Sequence, residues 1–259
     1  MISVVQLGRV DYATGLKLQQ RLVALRKENQ IGDVLLLLEH SPVITLGRNA
    51  NSANVLASSE LLKQRGVELF ECDRGGDVTF HGPGQLVGYP IFDLRAFTTP
   101  DGLRKTLGAV EFVRRLEEAL IRTCADFAIA TTRVKGLTGV WTDSAEHAKL
   151  AAIGVHISRG VTSHGFALNI DTDLSFFDLI IPCGITSKPV TSMARELGHE
   201  IEINQVAESI PRNFGQVFSR QILWVDTLDA LLEHRLGVPL QTPPGLRKLR
   251  GEEDESAWA

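Results

Sequence analysis

A run of apolar residues near the N-terminus constrains the fold of this chain more than any other feature. Within residues 33–40, DVLLLLEH, every residue from Val34 to Leu38 is apolar. The run is far shorter than the roughly 18 residues that a membrane-spanning helix needs, so we predict a buried β-strand. Residues 12–29, just before it, space their leucines as a helix does. The sequence therefore predicts a fold that mixes α-helices with β-strands.

The same patterns predict the remaining elements. Short β-rich or alternating segments predict strands at residues 2–8, 43–48, 67–74, 85–94, 138–143, 149–158 and 162–170. Helical spacing predicts further helices at residues 58–66, 106–127, 205–219 and 225–237. The helix at 106–127 has the clearest pattern, with one face formed by Val110, Val113, Leu116, Leu120 and Cys124. We expect Pro211 to make the helix at 205–219 irregular or to break it.

Size, charge and cysteine content limit the class of protein. The 259 residues are enough for one large domain or two small ones, and because we find no internal repeat and no long linker we expect one domain with a C-terminal appendage. The formal net charge of −4 does not suggest a nucleic-acid partner. No basic leader precedes an apolar core, so we expect neither a secretory signal nor a membrane partner. The three cysteines are too few for a disulfide scaffold and fit a reducing cytoplasm. From Val238 onward the chain is proline-rich and then charged, which indicates a flexible tail.

Three segments marked by glycine are the candidates for a functional site. They are RGGDVTFHGPGQ at 74–85, the pair KLAAIG and HGFALN at 149–154 and 164–169, and PCGI at 182–185. Dense glycines mark strained turns or close approach of the backbone to another group, although a single such turn more often only connects two strands. Cys183 differs from an ordinary buried cysteine because it lies between Pro182 and Gly184. A turn of that composition can leave backbone amides free to bind an oxyanion.

Motifs of several other chemistries are missing from the sequence. It contains no G-x-x-x-x-G-K-[ST] phosphate loop, no H-E-x-x-H or paired C-x-x-C metal motif and no G-x-S-x-G nucleophile elbow. Gly82 and Gly84 begin a dinucleotide-binding pattern, but Val87 occupies its third glycine position. The seven histidines are scattered along the chain. We therefore expect neither a metal nor a cofactor.

Taken together and in order, the three segments resemble the lipoyl(octanoyl) transferases, the octanoyltransferase (lipoate-protein ligase B) family of lipoate biosynthesis. The resemblance covers about residues 1–220, which are expected to form the catalytic domain, and leaves residues 221–259 as a C-terminal extension. It implies an α/β fold like that of biotin and lipoate ligases, in which helices pack on a mixed β-sheet.

The resemblance also implies a reaction and its partners. Members of this family transfer an octanoyl group from octanoyl-acyl carrier protein to a specific lysine of a lipoyl domain. The acceptors are the lipoyl domains of 2-oxoacid dehydrogenase E2 subunits and the glycine cleavage H protein. Because exchange between a thiol and a thioester is nearly isoenergetic, the reaction needs no ATP. The resemblance places this reaction in the cytoplasm.

The family's functional residues correspond to positions in all three segments. Its catalytic cysteine and lysine fall on Cys183 and Lys149. Its substrate-binding positions fall on Arg74, Gly75, Gly76, Asp77, Val78, Thr79, Phe80, His81, Ala152, Ile153, Gly154, Gly165, Phe166 and Ala167. The small and apolar residues among them are expected to line a tunnel for an eight-carbon chain. The sequence leaves open whether Lys149 pairs with a Cys183 thiolate or acts as a general base.

Other functions stay open at this point. An ATP-dependent lipoate or biotin protein ligase of the same fold needs no cysteine nucleophile, so Cys183 argues against it. A carrier-protein binder without activity would not need both Cys183 and Lys149, and a papain-like hydrolase would have its cysteine near the start of the mature chain. For docking of the acidic carrier protein, candidate basic residues are Arg74, Arg133, Lys135 and Arg159.

Overall fold

The computed structural model of the protein describes residues 1–98, 106–185 and 187–236. Its strands are β1 (Ile2–Val10), β2 (Asp33–His40), β3 (Val43–Leu46), β4 (Glu68–Glu71), β5 (Val78–His81), β6 (Gln85–Ile91), β7 (Thr131–Val134), β8 (Leu137–Thr142), β9 (Lys149–Ser158), β10 (Val161–Asn169) and β11 (Ile222–Trp224). Its helices are α1 (Tyr12–Lys27), α2 (Ser59–Gln64), α3 (Ala109–Asp126), α4 (Met193–Leu197), α5 (Ile203–Phe218) and α6 (Leu228–Leu236).

The strands form two sheets. The large one has the order β11-β1-β2-β6-β10-β9-β8-β7 and mixes parallel with antiparallel pairs, and the small one has the order β4-β3-β5. Helix α1 packs against β6 and β10, while α3 contacts α5 and strands β7 to β9. The mixed α/β fold predicted from the sequence is therefore confirmed. None of the described helices is long and apolar enough to cross a membrane.

Strand β2 is central and buried along its whole length. Leu35 and Leu37 belong to the apolar cluster that includes α3 and α5, whereas Val34, Leu36 and Leu38 belong to the cluster beneath α1. Because the strand is covered on both faces, it contains no alternating polar residues. Each buried leucine contributes about 1.5–3 kcal/mol of hydrophobic stabilisation, which explains the uninterrupted run in the sequence.

Helices α3 and α5, which pack on the face of the large sheet opposite α1, each differ from the predicted pattern at one residue. Of the predicted α3 face, Leu116, Leu120 and Cys124 are buried. Val110 is 68% exposed, because Phe112 fills the core position in the first turn of the helix. Helix α5 continues through Pro211 without a break. A proline inside a helix costs about 3 kcal/mol, and the buried apolar face of α5, with Phe214 at its centre, offsets that cost.

The small sheet and the hairpin β9–β10 frame the region that contains the three glycine-marked segments. Strand β5 pairs with β3 inside the small sheet, and the backbone N–H of Gly75 donates to the carbonyl of Val155 on β9 at 3.0 Å. The glycine-rich segment therefore bridges the two sheets. The expected flexible tail from Val238 onward lies outside the described residues.

Candidate active site

Two side chains from distant parts of the sequence meet at the start of β9. Lys149 Nζ donates a hydrogen bond to Cys183 Sγ at 3.3 Å. Lys149 is 6% exposed, and its Nζ lies 4.7 Å from the centroid of the Trp141 ring. The thiol of Cys183 is half-buried. The structure thus brings together the cysteine and the lysine that the sequence singled out.

Backbone pairing fixes the lysine from both sides. Lys149 N–H donates to the carbonyl of Pro189 at 2.8 Å, and its carbonyl accepts from the N–H of Thr191 at 3.0 Å. These bonds anchor Lys149 to the segment that follows the cysteine turn, so the positions of the two candidate catalytic side chains are coupled through a short length of backbone.

Cys183 occupies a tight turn with unusual backbone angles. The turn spans Pro182–Gly184, and both Cys183 and Gly184 have left-handed φ values, of 56° and 66°. The amides expected to be free for an oxyanion are used within the turn, because Gly184 N–H donates to Ile181 O and Ile185 N–H donates to Pro182 O. That expectation was wrong for these two amides. A left-handed cysteine persists only where its surroundings hold it.

Asp77 supplies part of that support from the glycine-rich segment. Its carboxylate accepts from the Asn51 backbone N–H at 3.0 Å and from the Asn54 side-chain amide. The carbonyl of Asn54 in turn accepts from the N–H of Ile181 at 2.7 Å. A Cβ atom on Gly184 would lie 3.0 Å from the Asp77 carboxylate, so the cysteine turn rests directly against it. Asp77 therefore positions the turn and does not line the cavity.

A cavity extends from Cys183 between the large sheet and the glycine-rich segment. Most of the predicted substrate-binding residues line it, namely Arg74, Gly75, Gly76, Thr79, His81, Ala152, Ile153, Gly154, Gly165, Phe166 and Ala167. Val78 and Phe80 do not, because alternate residues of β5 face the opposite side, where both pack with Ile44. The sequence prediction missed four lining residues: Tyr12, Val87, Tyr89 and His164. Of these, Val87 and Tyr89 have a detectable signal, since they alternate along a predicted strand.

Arg74 is buried and acts as a clamp, because its guanidinium ties the glycine-rich segment to β3. Its side chain donates to the Thr45 carbonyl at 2.6 Å, to the Thr45 hydroxyl at 2.9 Å and to the Gly75 carbonyl at 3.1 Å. Only 7% of the residue is exposed, so it cannot belong to a basic docking rim. A Cβ atom on Gly154 would meet the Gly75 carbonyl at 2.6 Å and Arg74 Cδ at 3.3 Å, which explains the glycine in β9.

A chain of buried hydrogen bonds connects His81 to the lysine segment. Gln85 Oε1 lies 2.8 Å from His81 Nδ1, so this nitrogen carries the proton and donates. Gln85 Nε2 donates to Asn169 Oδ1 at 2.9 Å, and Asn169 Nδ2 donates to the Thr191 carbonyl at 2.9 Å. Thr191 is the residue that pairs with Lys149. The network therefore ties the glycine-rich segment to the reactive pair.

Two buried histidines in and beside the cavity are neutral at physiological pH. Burial lowers the pKa of His40 to about 4. Burial, together with the nearby His40 once it is protonated and the charge of Arg74, lowers the pKa of His81 to about 3. In the unfolded chain both would titrate near 6.5. Below pH 6.5 the unfolded state therefore binds more protons than the folded state does.

We expect this difference to make the protein less stable in mild acid. Below pH 6.5 the free energy of unfolding should fall by up to about 1.4 kcal/mol per pH unit for each of the two histidines. Urea unfolding of the protein and of His81→Gln between pH 7.5 and 5 tests this. The variant should show the shallower dependence, whereas His199→Gln, which changes an exposed histidine, should match the unchanged protein. Equal slopes in all three proteins would contradict the prediction.

The docking candidate Arg133 is engaged in ion pairs. Its guanidinium contacts the Glu117 carboxylate at 3.1 Å and the Glu118 carboxylate at 2.9 Å. Glu117 is buried and accepts from the Gly139 N–H at 3.1 Å, so Arg133 supports the packing of α3 on β8. Lys135 and Arg159 are exposed.

Within the described ranges, no group of three or more His, Cys, Asp or Glu residues is arranged to hold a metal ion.

Comparison with known proteins gives a family match and relatives of high sequence identity. Residues 11–215 match the family described as the lipoyl protein ligase A/B catalytic domain. An octanoyltransferase of Koribacter versatilis is 60% identical over 253 residues, which cover 98% of each chain. An octanoyltransferase of Acidobacterium capsulatum is 58% identical over 90% of this chain and 96% of its own.

Solved structures show the same fold at low sequence identity. The bipartite lipoate protein ligase of Thermoplasma acidophilum superposes with a TM-score of 0.68 at 16% identity, over 90% of each chain. A lipoate-protein ligase A bound with ATP gives a TM-score of 0.68 at 15% identity, over 90% of this chain and 92% of its own. At these identities the likeness establishes the fold alone.

Proposed function

Because the chain belongs to the lipoyl protein ligase A/B family and is an acyltransferase of octanoyl groups, we propose that Cys183 carries the octanoyl group between donor and acceptor. The donor is octanoyl-acyl carrier protein, and the acceptor is a specific lysine of a lipoyl domain. One observation carries the proposal: Lys149 Nζ lies 3.3 Å from Cys183 Sγ, and Cys183 lines a cavity whose residues on β9 and β10 are mostly small or apolar.

The reaction has two steps that balance. In the first, the Cys183 thiolate attacks the carbonyl of the donor thioester, a new carbon–sulfur bond forms, and the carrier thiolate leaves and takes up a proton. In the second, the neutral amine of the acceptor lysine attacks the enzyme thioester. An amide forms, Cys183 leaves as the thiolate, and the amine proton passes to a base.

Lys149 can serve both steps. As an ammonium it stabilises the thiolate by charge at hydrogen-bonding distance, and as a neutral amine it can accept a proton. The face of Trp141, 4.7 Å away, attracts a cation, which supports the charged form in the resting enzyme.

The cavity suits an unbranched acyl chain. Its glycines and alanines leave room along the floor, with Ala152 and Gly154 on β9 and Gly165 and Ala167 on β10. Each methylene transferred from water into such a site contributes about 0.8 kcal/mol, so a chain of eight carbons is held mainly by burial.

The acceptors we propose are the lipoyl domains of 2-oxoacid dehydrogenase E2 subunits and the glycine cleavage H protein. We place the reaction in the cytoplasm, where the free thiols of the described cysteines persist. Residues 1–220 would form the catalytic domain and 221–259 an extension of it.

Incubation with octanoyl-acyl carrier protein, followed by intact-mass analysis, tests the proposal. We expect a mass gain of one octanoyl group without ATP, and loss of that group when a lipoyl domain is added. An ATP-dependent ligase of the same fold would instead need ATP and free octanoate to modify the lipoyl domain. Transfer only under those conditions, with no adduct from the carrier protein, would overturn the proposed function.

A further inference from the structure

We propose that His164, held by Asp73, closes the far end of the acyl cavity and sets the longest chain that the enzyme accepts. The inference rests on the proposed function, because it assigns a chain-length limit to the cavity that begins at Cys183. Both Cys183 and His164 line that cavity.

Strand register gives the length of the cavity floor. Pairs on β9 and β10 follow in the order Ala152–Ala167, Ile153–Phe166, Gly154–Gly165 and Val155–His164. Lys149 lies three residues before Ala152, so the reactive end is the end at Ala152. Three strand steps from the first pair to the last span about 10 Å. An extended chain advances roughly 1.2 Å per backbone bond, so the seven carbon–carbon bonds of an octanoyl group extend about 8 Å.

A change of side-chain size occurs at the end of this floor. Two of the three pairs before it are small, with Gly154 opposite Gly165 and Ala152 opposite Ala167, whereas the side chains of the intervening pair Ile153–Phe166 pack with the core cluster that includes α3 and α5. The imidazole of His164 follows directly. An acyl chain that runs along the floor from Cys183 therefore meets the ring after a distance close to its own length.

The backbone of His164 departs from that of a regular strand. Its φ is 55°, in the left-handed region, which histidine adopts more readily than most residues. Its N–H donates to Gln19 Oε1 on α1 at 2.7 Å. The helix thus holds the left-handed conformation in place.

Asp73 fixes the ring from the solvent side. His164 Nε2 lies 2.7 Å from Asp73 Oδ1, and the His164 side chain is 3% exposed whereas that of Asp73 is 59% exposed. His156 Nε2 lies 3.6 Å from the second carboxylate oxygen of Asp73. The carboxylate therefore lies between the buried ring and water, as expected of a positioning residue that keeps the ring across the end of the cavity.

Removal of the ring should lengthen the cavity. We expect His164→Gly, which suits the left-handed backbone, to raise kcat/KM for dodecanoyl-acyl carrier protein relative to octanoyl-acyl carrier protein at least tenfold. Asp73→Ala should change the same ratio in the same direction but by less, since the ring stays and only its anchor is lost. Transfer to a lipoyl domain, followed by intact mass for octanoyl, decanoyl and dodecanoyl donors, measures all the ratios.

A matched control is available in His147. It also has a left-handed backbone, with φ of 52°, but is not among the residues that line the cavity. His147→Gly should keep the chain-length ratio of the unchanged protein. If His164→Gly and Asp73→Ala both transfer octanoate with an unchanged ratio, the chain-length assignment is wrong while the proposed function stands. If the unchanged protein takes no acyl group from any of the donors, the proposed function fails and this inference fails with it.

Discussion

Cys183→Ser is expected to abolish the covalent octanoyl intermediate and to slow transfer by roughly 10³-fold or more. A free thiol forms a few per cent of thiolate near neutral pH, whereas a serine hydroxyl hardly ionises and is a much weaker nucleophile. Intact mass after incubation with octanoyl-acyl carrier protein should show the adduct on the unchanged protein and none on the variant. Hydroxylamine should remove the adduct, as it does any thioester.

The other two cysteines provide matched controls for the same substitution. Burial on α3 raises the pKa of Cys124 to about 12, so its thiol does not ionise at physiological pH. Cys72 donates to the Leu46 carbonyl at 3.4 Å and is absent from the residues that line the cavity. Cys72→Ser and Cys124→Ser should both keep the hydroxylamine-labile adduct. An adduct that survives in Cys183→Ser and disappears in either control would place the nucleophile elsewhere.

Eight of the eleven described strands could be predicted from the sequence, and Cys183 and Lys149 could be named as candidates, because their signals are local or repeated. The apolar run in β2 reflects burial on both faces, and Gly154 reflects the close packing of β9 against Arg74 and Gly75. Cys183 and Lys149 were found through motifs whose order could be compared with a family. Their contact could not be derived from spacing, since it depends on how the segment after the cysteine pairs with β9.

The errors arose where distant residues decide the outcome. Val110 fits the helical spacing of α3, but Phe112 is larger and takes the core position. Pro211 predicts a break that packing of α5 on the core prevents. Val78 and Phe80 lie inside a family motif, yet strand alternation turns them away from the cavity. A glycine-rich stretch gives no sign that four of its residues form a strand, because that strand depends on pairing with β3.

His164 and Asp77 show the same limit at the site. Each lies in a glycine-marked segment, but the partners that define their positions, Asp73 for one and Asn54 for the other, lie in separate loops. A residue that acts through a long-range contact carries no local pattern. The sequence can name such a residue through a motif, but only the assembled fold shows which partner it contacts.

Lys149→Ala is expected to slow acylation of Cys183 by roughly 10²-fold at pH 7 while carrier-protein binding stays intact. The substitution removes the cation at 3.3 Å from the sulfur, so the thiolate loses its charge partner. An unassisted thiol ionises near pH 8.5, and the deficit should therefore shrink as the pH rises from 6 to 9. Single-turnover acylation followed by mass across that range measures it. A variant that acylates at the normal rate at every pH would remove Lys149 from the reaction.

Lys149→Arg separates the two roles of the lysine. Arginine keeps a permanent positive charge and cannot act as a base. Lys149→Arg should therefore keep part of the role of a charge partner for the thiolate and lose the role of a base. Because the face of Trp141 lies 4.7 Å from Nζ and favours a cation, we expect Lys149→Arg to acylate faster than Lys149→Ala at pH 7. Transfer from the acyl-enzyme to the lipoyl domain, which needs a proton acceptor, should stay slow in both variants. Equal acylation rates for the arginine and alanine variants would show that charge alone does not explain the contribution of Lys149.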